Sequence, residues 1–133
     1  MPAIHKLLVY GSLMEGLGLH AALRKSLRVG FDLKPKVRGW QLVDLGAFPG
    51  AIPGTETQFI VGELYAVTSD ALRELDRVEG VPTFYDRVRV SADGHEAWMY
   101  ALSNEFLQFN TPKQRVPGGD WRKYYAARST DRR

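Results

Sequence analysis

Two places in this sequence combine residue types and spacings that suit chemistry. The first is Tyr10-Gly11-Ser12-Leu13, where an apolar run ends in Gly-Ser. Successive backbone N–H groups exposed at such a strand end can form an anion-binding nest, and Gly11 lets a ligand approach the main chain. An ordinary turn carries the same residues. The lysine and Ser/Thr of a Walker loop are missing after Gly16, which argues against a nucleoside triphosphate. The second is Glu79. Leu72, Leu75 and Glu79 stand at i, i+3 and i+7, on one helical face. If the leucines face the core, apolar neighbours desolvate the carboxylate and the helix's negative end repels it. Both effects raise its pKa toward neutrality, where a carboxyl group can shuttle protons. A solvated helix-end glutamate, or one paired with Arg87, is the alternative. Asp76 and Glu15 are the other carboxylates nearby, and neither is expected to carry the proton.

Tyr85 and Arg87 share a face of a predicted strand, and Tyr100 falls on the strand beside it. Tyrosines that point into a cavity can orient a substrate, and the same residues also serve as core with a satisfied hydroxyl. His5, His20 and His95 are scattered without ligand spacing, so no metal is expected. The Gly-Ser pair does not lie in a G-x-S-x-G elbow, and no His/Asp partner suggests itself, which argues against a serine hydrolase.

The elements that must position these groups follow from hydrophobic pattern and turn residues. Leu7 to Tyr10 reads as a short buried strand, and Gly11 to Gly18 as a flexible, glycine-punctuated loop. Leu19 to Leu27 is weakly helical. Lys36 to Leu45 alternates, with Gly39 marking a bulge or a close backbone approach. Leu45 to Gly54 reads as a loop and Phe59 to Val67 as one strand. Asp70 to Glu79 is a helix with Thr68 or Ser69 as its cap, Gly80 in the C′ position and Pro82 beyond. Tyr85 to Ser91 and Glu96 to Leu102 form a hairpin around Asp93-Gly94. The chain after Pro112 is turn-rich. The expected architecture is α+β, a small mixed or antiparallel β-barrel-like sheet with short helices, forming one domain over residues 1–128 with a disordered tail over 129–133.

A length of 133 residues suits one domain with a single core. Cysteine is absent, which removes disulfides, thiolate ligands and a cysteine nucleophile and suits a reducing, cytoplasmic setting. The N-terminus does not read as a signal peptide, and no run approaches the ~20 apolar residues of a membrane span, so no membrane partner is expected. The net charge of +3 is modest and much of it gathers near the C-terminus, beside Trp121, Tyr124 and Tyr125. A nucleic-acid surface would combine such charges with stacking aromatics, but a solvated basic tail accounts for them more simply.

The segment Leu8-Val-Tyr-Gly-Ser-Leu13 resembles the opening motif of the gamma-glutamylcyclotransferase-like superfamily. The resemblance is closest to its gamma-glutamylamine cyclotransferase and small bacterial avirulence-induced-gene-type members. Leu42-Val-Asp-Leu-Gly-Ala-Phe-Pro-Gly50 is similar to the family's next segment, and Gly62-Glu-Leu-Tyr-Ala-Val67 with Leu75-Asp-Arg-Val-Glu-Gly80 to the strand and helix that end in its catalytic glutamate. Tyr85-Asp-Arg87 and Gly118-Gly-Asp-Trp121 also fit, so the likeness covers roughly residues 6 to 125. It implies a gamma-glutamylcyclotransferase-like fold with a cavity at one side. It implies that Glu79 is the general acid/base, that the backbone around Tyr10, Gly11, Ser12 and Leu13 holds a substrate carboxylate, and that Tyr85 and Tyr100 line the cavity. The implied activity is cyclisation of a small gamma-glutamyl compound to 5-oxoproline with release of an amine, without a cofactor. A catalytically silent binding domain of the same fold is the alternative.

Overall fold

The computed structural model describes residues 3–11, 13–14, 23, 26–30, 34–112 and 114–131. The expectations for Ser12, for Glu15 and for most of the predicted helix over Leu19 to Leu27 fall outside them. The first strand, β1 (Ile4–Val9), runs between an antiparallel neighbour, β7 (Glu63–Thr68), and a parallel one, β9 (His95–Leu102). Its continuous apolar run Leu7-Leu8-Val9 reflects that position, because a strand covered on both faces has no solvent side to mark with polar residues. β8 (Tyr85–Ala92) pairs antiparallel with β9. Asp93 (φ 48°) and Gly94 (φ 87°) close this hairpin with the two positive φ angles of a type I′ turn.

Among the described residues the larger sheet has the order β2-β7-β1-β9-β8-β3-β6, where β2 is Leu27–Arg28, β3 is Lys36–Arg38 and β6 is Phe59–Val61. A smaller one has the order β10-β4-β5, where β4 is Trp40–Asp44, β5 is Pro49–Pro53 and β10 is Gln114–Arg115. Gly39, at φ +84°, is where the alternating run Lys36 to Leu45 leaves one sheet for the other. The strand expected over Phe59 to Val67 is two strands. It breaks at Gly62, where a Cβ would lie 2.4 Å from the Val9 carbonyl oxygen. Its halves stand near opposite ends of the larger sheet's order, so a single residue joins regions that a flat sheet would hold far apart. The sheet is therefore curled into a half-barrel, and the class is α+β as expected.

Three α-helices accompany the strands among the described residues. In α1 (Ser69–Val78), Thr68 Oγ1 accepts from the Ala71 amide at 3.1 Å, and Leu72 and Leu75 are buried. Burial of each leucine is worth about 1.5–3 kcal/mol relative to exposure. The other two are α2 (Asn104–Phe109), in a stretch the sequence assigned to no element, and α3 (Trp121–Asp131), which corrects the turn-rich reading of the chain after Pro112. Ser103 caps α2, and α3 extends into the stretch from Ser129 that the sequence reads as a disordered tail. The loop expected over Leu45 to Gly54 is also corrected, since Pro49 to Pro53 forms β5 against β4.

Candidate active site

Glu79 ends α1 through a Schellman motif. The Gly80 amide donates to the Arg77 carbonyl at 3.2 Å and the Val81 amide to the Asp76 carbonyl at 2.9 Å. The motif needs a left-handed residue just past the helix, and Gly80 supplies it at φ +68°. Glu79, as C-cap, is held at the edge of a cavity of about 310 Å³. Tyr10, Gly11 and Leu13 line this cavity from the end of β1, and Tyr85 and Tyr100 from the β8–β9 hairpin. Five of the sequence-predicted site residues thus meet Glu79 in one space, while Ser12 lies outside the described residues.

Gly11 is required by its neighbour: a Cβ there would lie 2.8 Å from Pro49 Cγ. Its carbonyl accepts from the Met14 amide at 2.9 Å, so the chain turns as soon as β1 ends. The Pro49 carbonyl in turn accepts the Tyr85 hydroxyl at 2.6 Å. Tyr10 donates to the Tyr100 carbonyl at 2.6 Å and accepts from the Ala51 amide at 3.1 Å. These bonds tie the tip of β1, the small sheet and the hairpin into one rigid floor.

Burial pushes the Glu79 carboxyl up to about 7. Among the described residues no hydrogen bond or ion pair to its side chain is found. The alternative of a Glu79–Arg87 pair does not occur, because Arg87 Nε lies 3.1 Å from Asp76 Oδ1. The same Asp76 oxygen accepts the Tyr100 hydroxyl at 2.8 Å. Burial also pushes the Tyr10, Tyr85 and Tyr100 phenols well above their ordinary value, and the Glu79 charge adds to the rise in all three. The phenols therefore stay protonated, while Glu79 can gain or lose a proton near neutral pH.

Sequence reasoning missed the apolar half of the cavity. Val9, Phe48, Pro49, Val78 and Phe84 line it as well. Phe84 packs against Phe48, Tyr85 and Phe106 at ring-centroid distances of 5.7, 4.9 and 4.5 Å. Nothing in the spacing of Phe48 and Phe84 ties them together; only the approach of the β4–β5 region to the start of β8 does so.

The basic, aromatic C-terminal segment has structural partners. Trp121 is 2% exposed. Tyr124 and Arg128 both donate to Asp44 Oδ2 at 2.7 Å, and Arg122 donates to Glu63 Oε2 at 2.9 Å. Among the described residues no group of three or more His, Asp or Glu side chains is placed to hold a metal ion. Among the described residues no helix is long and apolar enough to cross a membrane.

Comparison with known proteins agrees with this geometry. Residues 7–123 match the family model described as gamma-glutamyl cyclotransferase, AIG2-like. A Vibrio cholerae protein with a provisional gamma-glutamylcyclotransferase name is 33% identical over 118 residues, covering 88% of this chain and 95% of that one. The gamma-L-glutamyl-butirosin B gamma-glutamyl cyclotransferase of Niallia circulans is 28% identical over 130 residues, covering 89% and 76%. An uncharacterized protein from Pyrococcus horikoshii has the same fold, with a TM-score of 0.77 at 22% identity over 97% of this chain and 99% of that one. With a match that runs from β1 into α3, the chain belongs to the gamma-glutamyl cyclotransferase, AIG2-like family.

Proposed function

We propose that the protein cyclises a gamma-glutamyl compound to 5-oxoproline and releases a free amine, with Glu79 as general acid/base. The observation that carries this reading is an ionisable carboxyl, with no ion pair among the described residues, on the wall of a tyrosine-lined apolar cavity beside a glycine turn. The names of the relatives support the same activity class, and that of the Niallia circulans protein gives gamma-L-glutamyl-butirosin B as what it acts on.

The reaction needs no second reactant. The neutral α-amine attacks the γ-carbonyl carbon of its own glutamyl unit, a C–N bond forms and a five-membered ring closes. Glu79 takes a proton from the attacking nitrogen and returns it to the leaving nitrogen as the original amide bond breaks. Because the attack is intramolecular, the cavity mainly has to hold a curled conformer, and such orientation can remove as much as ~7–11 kcal/mol of barrier. In this reading the amides around Tyr10, Gly11, Ser12 and Leu13 hold the α-carboxylate, and Tyr85 and Tyr100 position the glutamyl unit. No cofactor is required. The proposed catalytic unit is one domain over residues 1–128, working in the cytoplasm.

The test is a panel of gamma-glutamyl dipeptides, gamma-glutamylamines and gamma-glutamyl-lysine, with 5-oxoproline as the readout. Release from at least one compound above the uncatalysed rate is expected. If the whole panel stays silent at high enzyme concentration, the protein is a binding domain that keeps the pocket without turnover.

A further inference from the structure

Three tyrosines line the cavity, and each hydroxyl has one proton to donate. Tyr10 donates to the Tyr100 carbonyl and Tyr85 to the Pro49 carbonyl. A carbonyl has no proton to give, so the direction of both bonds is settled. Tyr100 donates to Asp76 Oδ1, which also faces Arg87 Nε at 3.1 Å, and a carboxylate oxygen in an ion pair accepts and does not donate. The Tyr10 oxygen is further engaged by the Ala51 amide. Tyr85 and Tyr100 accept no hydrogen bond from the described residues. Each of these two phenols therefore has oxygen lone pairs left for a ligand, close to a carboxylate that is itself an acceptor when ionised.

We propose that Tyr85 and Tyr100 hold the substrate's α-amino group as acceptors for its N–H bonds, next to Glu79, and thereby aim its attack. The inference rests on the cyclisation reading above and adds the ligand group that the tyrosines recognise. An amine reacts through its lone pair. A hydroxyl donor pointed into the cavity would occupy that lone pair and quench it. Acceptors take the N–H hydrogens instead and leave the lone pair free to face the γ-carbonyl carbon. One N–H goes to Glu79, which removes that proton as the ring closes, and the other is shared between the Tyr85 and Tyr100 oxygens. Asp76 is then a positioning residue, because it keeps the Tyr100 proton engaged with the protein.

Calorimetric binding to Glu79→Gln tests this, because that variant should bind substrate without consuming it. The probes are gamma-L-glutamylethylamide and N-ethylglutaramic acid, which share the carboxylate and the amide and differ only in the α-amine. The amine-bearing probe is expected to bind at least about tenfold more tightly, the range of one or two net hydrogen bonds. Tyr85→Phe and Tyr100→Phe on that background should each weaken the amine-bearing probe about tenfold and leave the des-amino probe within about twofold. Equal losses for both probes, no loss for either, or equal affinity of the two for Glu79→Gln itself would overturn the assignment. The cyclisation reading would still stand if wild type releases 5-oxoproline. Failure of both probes to bind would count against both readings. If one phenylalanine variant does not fold, the other and the comparison on Glu79→Gln alone still decide.

Discussion

Glu63 and Glu79 are both glutamates withdrawn from water, at two regions of the molecule with opposite designs. Glu63, 6% exposed in β7, accepts from Tyr65 and Arg122 and lies 3.7 Å from Arg28. Its charge is neutralised where it sits, and it anchors α3 to the sheet. Asp44 does the same nearby. Burial pushes it up, but the Tyr124 and Gly46 hydrogen bonds and Arg128 outweigh that and hold its carboxyl below the ordinary value. Among the described residues Glu79 has burial without any of this compensation, and Arg87, the partner the sequence offered for it, is occupied by Asp76. Burial alone therefore does not separate these two carboxylates. Among the described residues the absence of a partner does, and because an uncompensated buried charge costs stability, its retention supports the role proposed for Glu79.

This contrast can be broken most sharply at Glu79. Glu79→Gln should lower 5-oxoproline release by about 10³-fold or more, within the range that general acid/base groups contribute, while near-ultraviolet circular dichroism stays that of wild type. Normal turnover would place the proton carrier elsewhere.

The opposite result is expected at the other region. Glu63→Ala removes the buried carboxylate that Tyr65, Arg122 and Arg28 all face and should cost about 3 kcal/mol in urea unfolding. Turnover per folded molecule should be unchanged, and a selective loss of activity with full stability would reverse the two roles.

A pH series sharpens the comparison. Because the folded Glu79 carboxyl is raised from about 4.5 to about 7, folded and unfolded states both hold its proton below pH 4.5, and burial then carries no charge penalty. As pH rises through 7 the folded state must bear a desolvated charge. Wild type should therefore lose about 1–3 kcal/mol relative to Glu79→Gln between pH 4 and pH 8. Paired thermal melts test this, and a variant that becomes relatively less stable as pH rises would mean Glu79 is a stabilising ion-pair partner. The acid limb of kcat/KM in wild type should fall near the same pH of about 7.

The smallest effect is expected at Asp76. In Asp76→Asn the side-chain oxygen can still accept from Tyr100, so turnover should stay within about tenfold of wild type. A loss as deep as that of Glu79→Gln would show that Asp76, not Glu79, moves the proton.

Local rules made part of the site legible. Thr68 and Gly80 bracket α1 through a side-chain cap and a positive-φ C′ position, both of which depend on a few neighbouring residues. The i, i+3, i+7 spacing then places Glu79 on the face of Leu72 and Leu75. The Asp93-Gly94 turn likewise sets the hairpin register that brings Arg87 opposite Tyr100. Reading failed where a strand owes its existence to its neighbour. Pro49-Gly-Ala-Ile-Pro53 has weak strand character, yet backbone pairing with β4 makes it β5. In α3, Trp121, Tyr124 and Arg128 find their places against the rest of the protein, and no local motif announces that docking.

The sequence by itself determined the carboxylate, the glycine turn and the ends of the helix that presents Glu79, because caps, turns and periodicity act over four or five residues. Tertiary structure alone decided that Arg87 pairs with Asp76 and leaves Glu79 without an ion pair among the described residues, and that Phe48, Pro49 and Phe84 close an apolar wall around it. Those outcomes depend on which of several reachable partners lies nearest once the sheet has curled. Spacing along the chain carries no record of that choice.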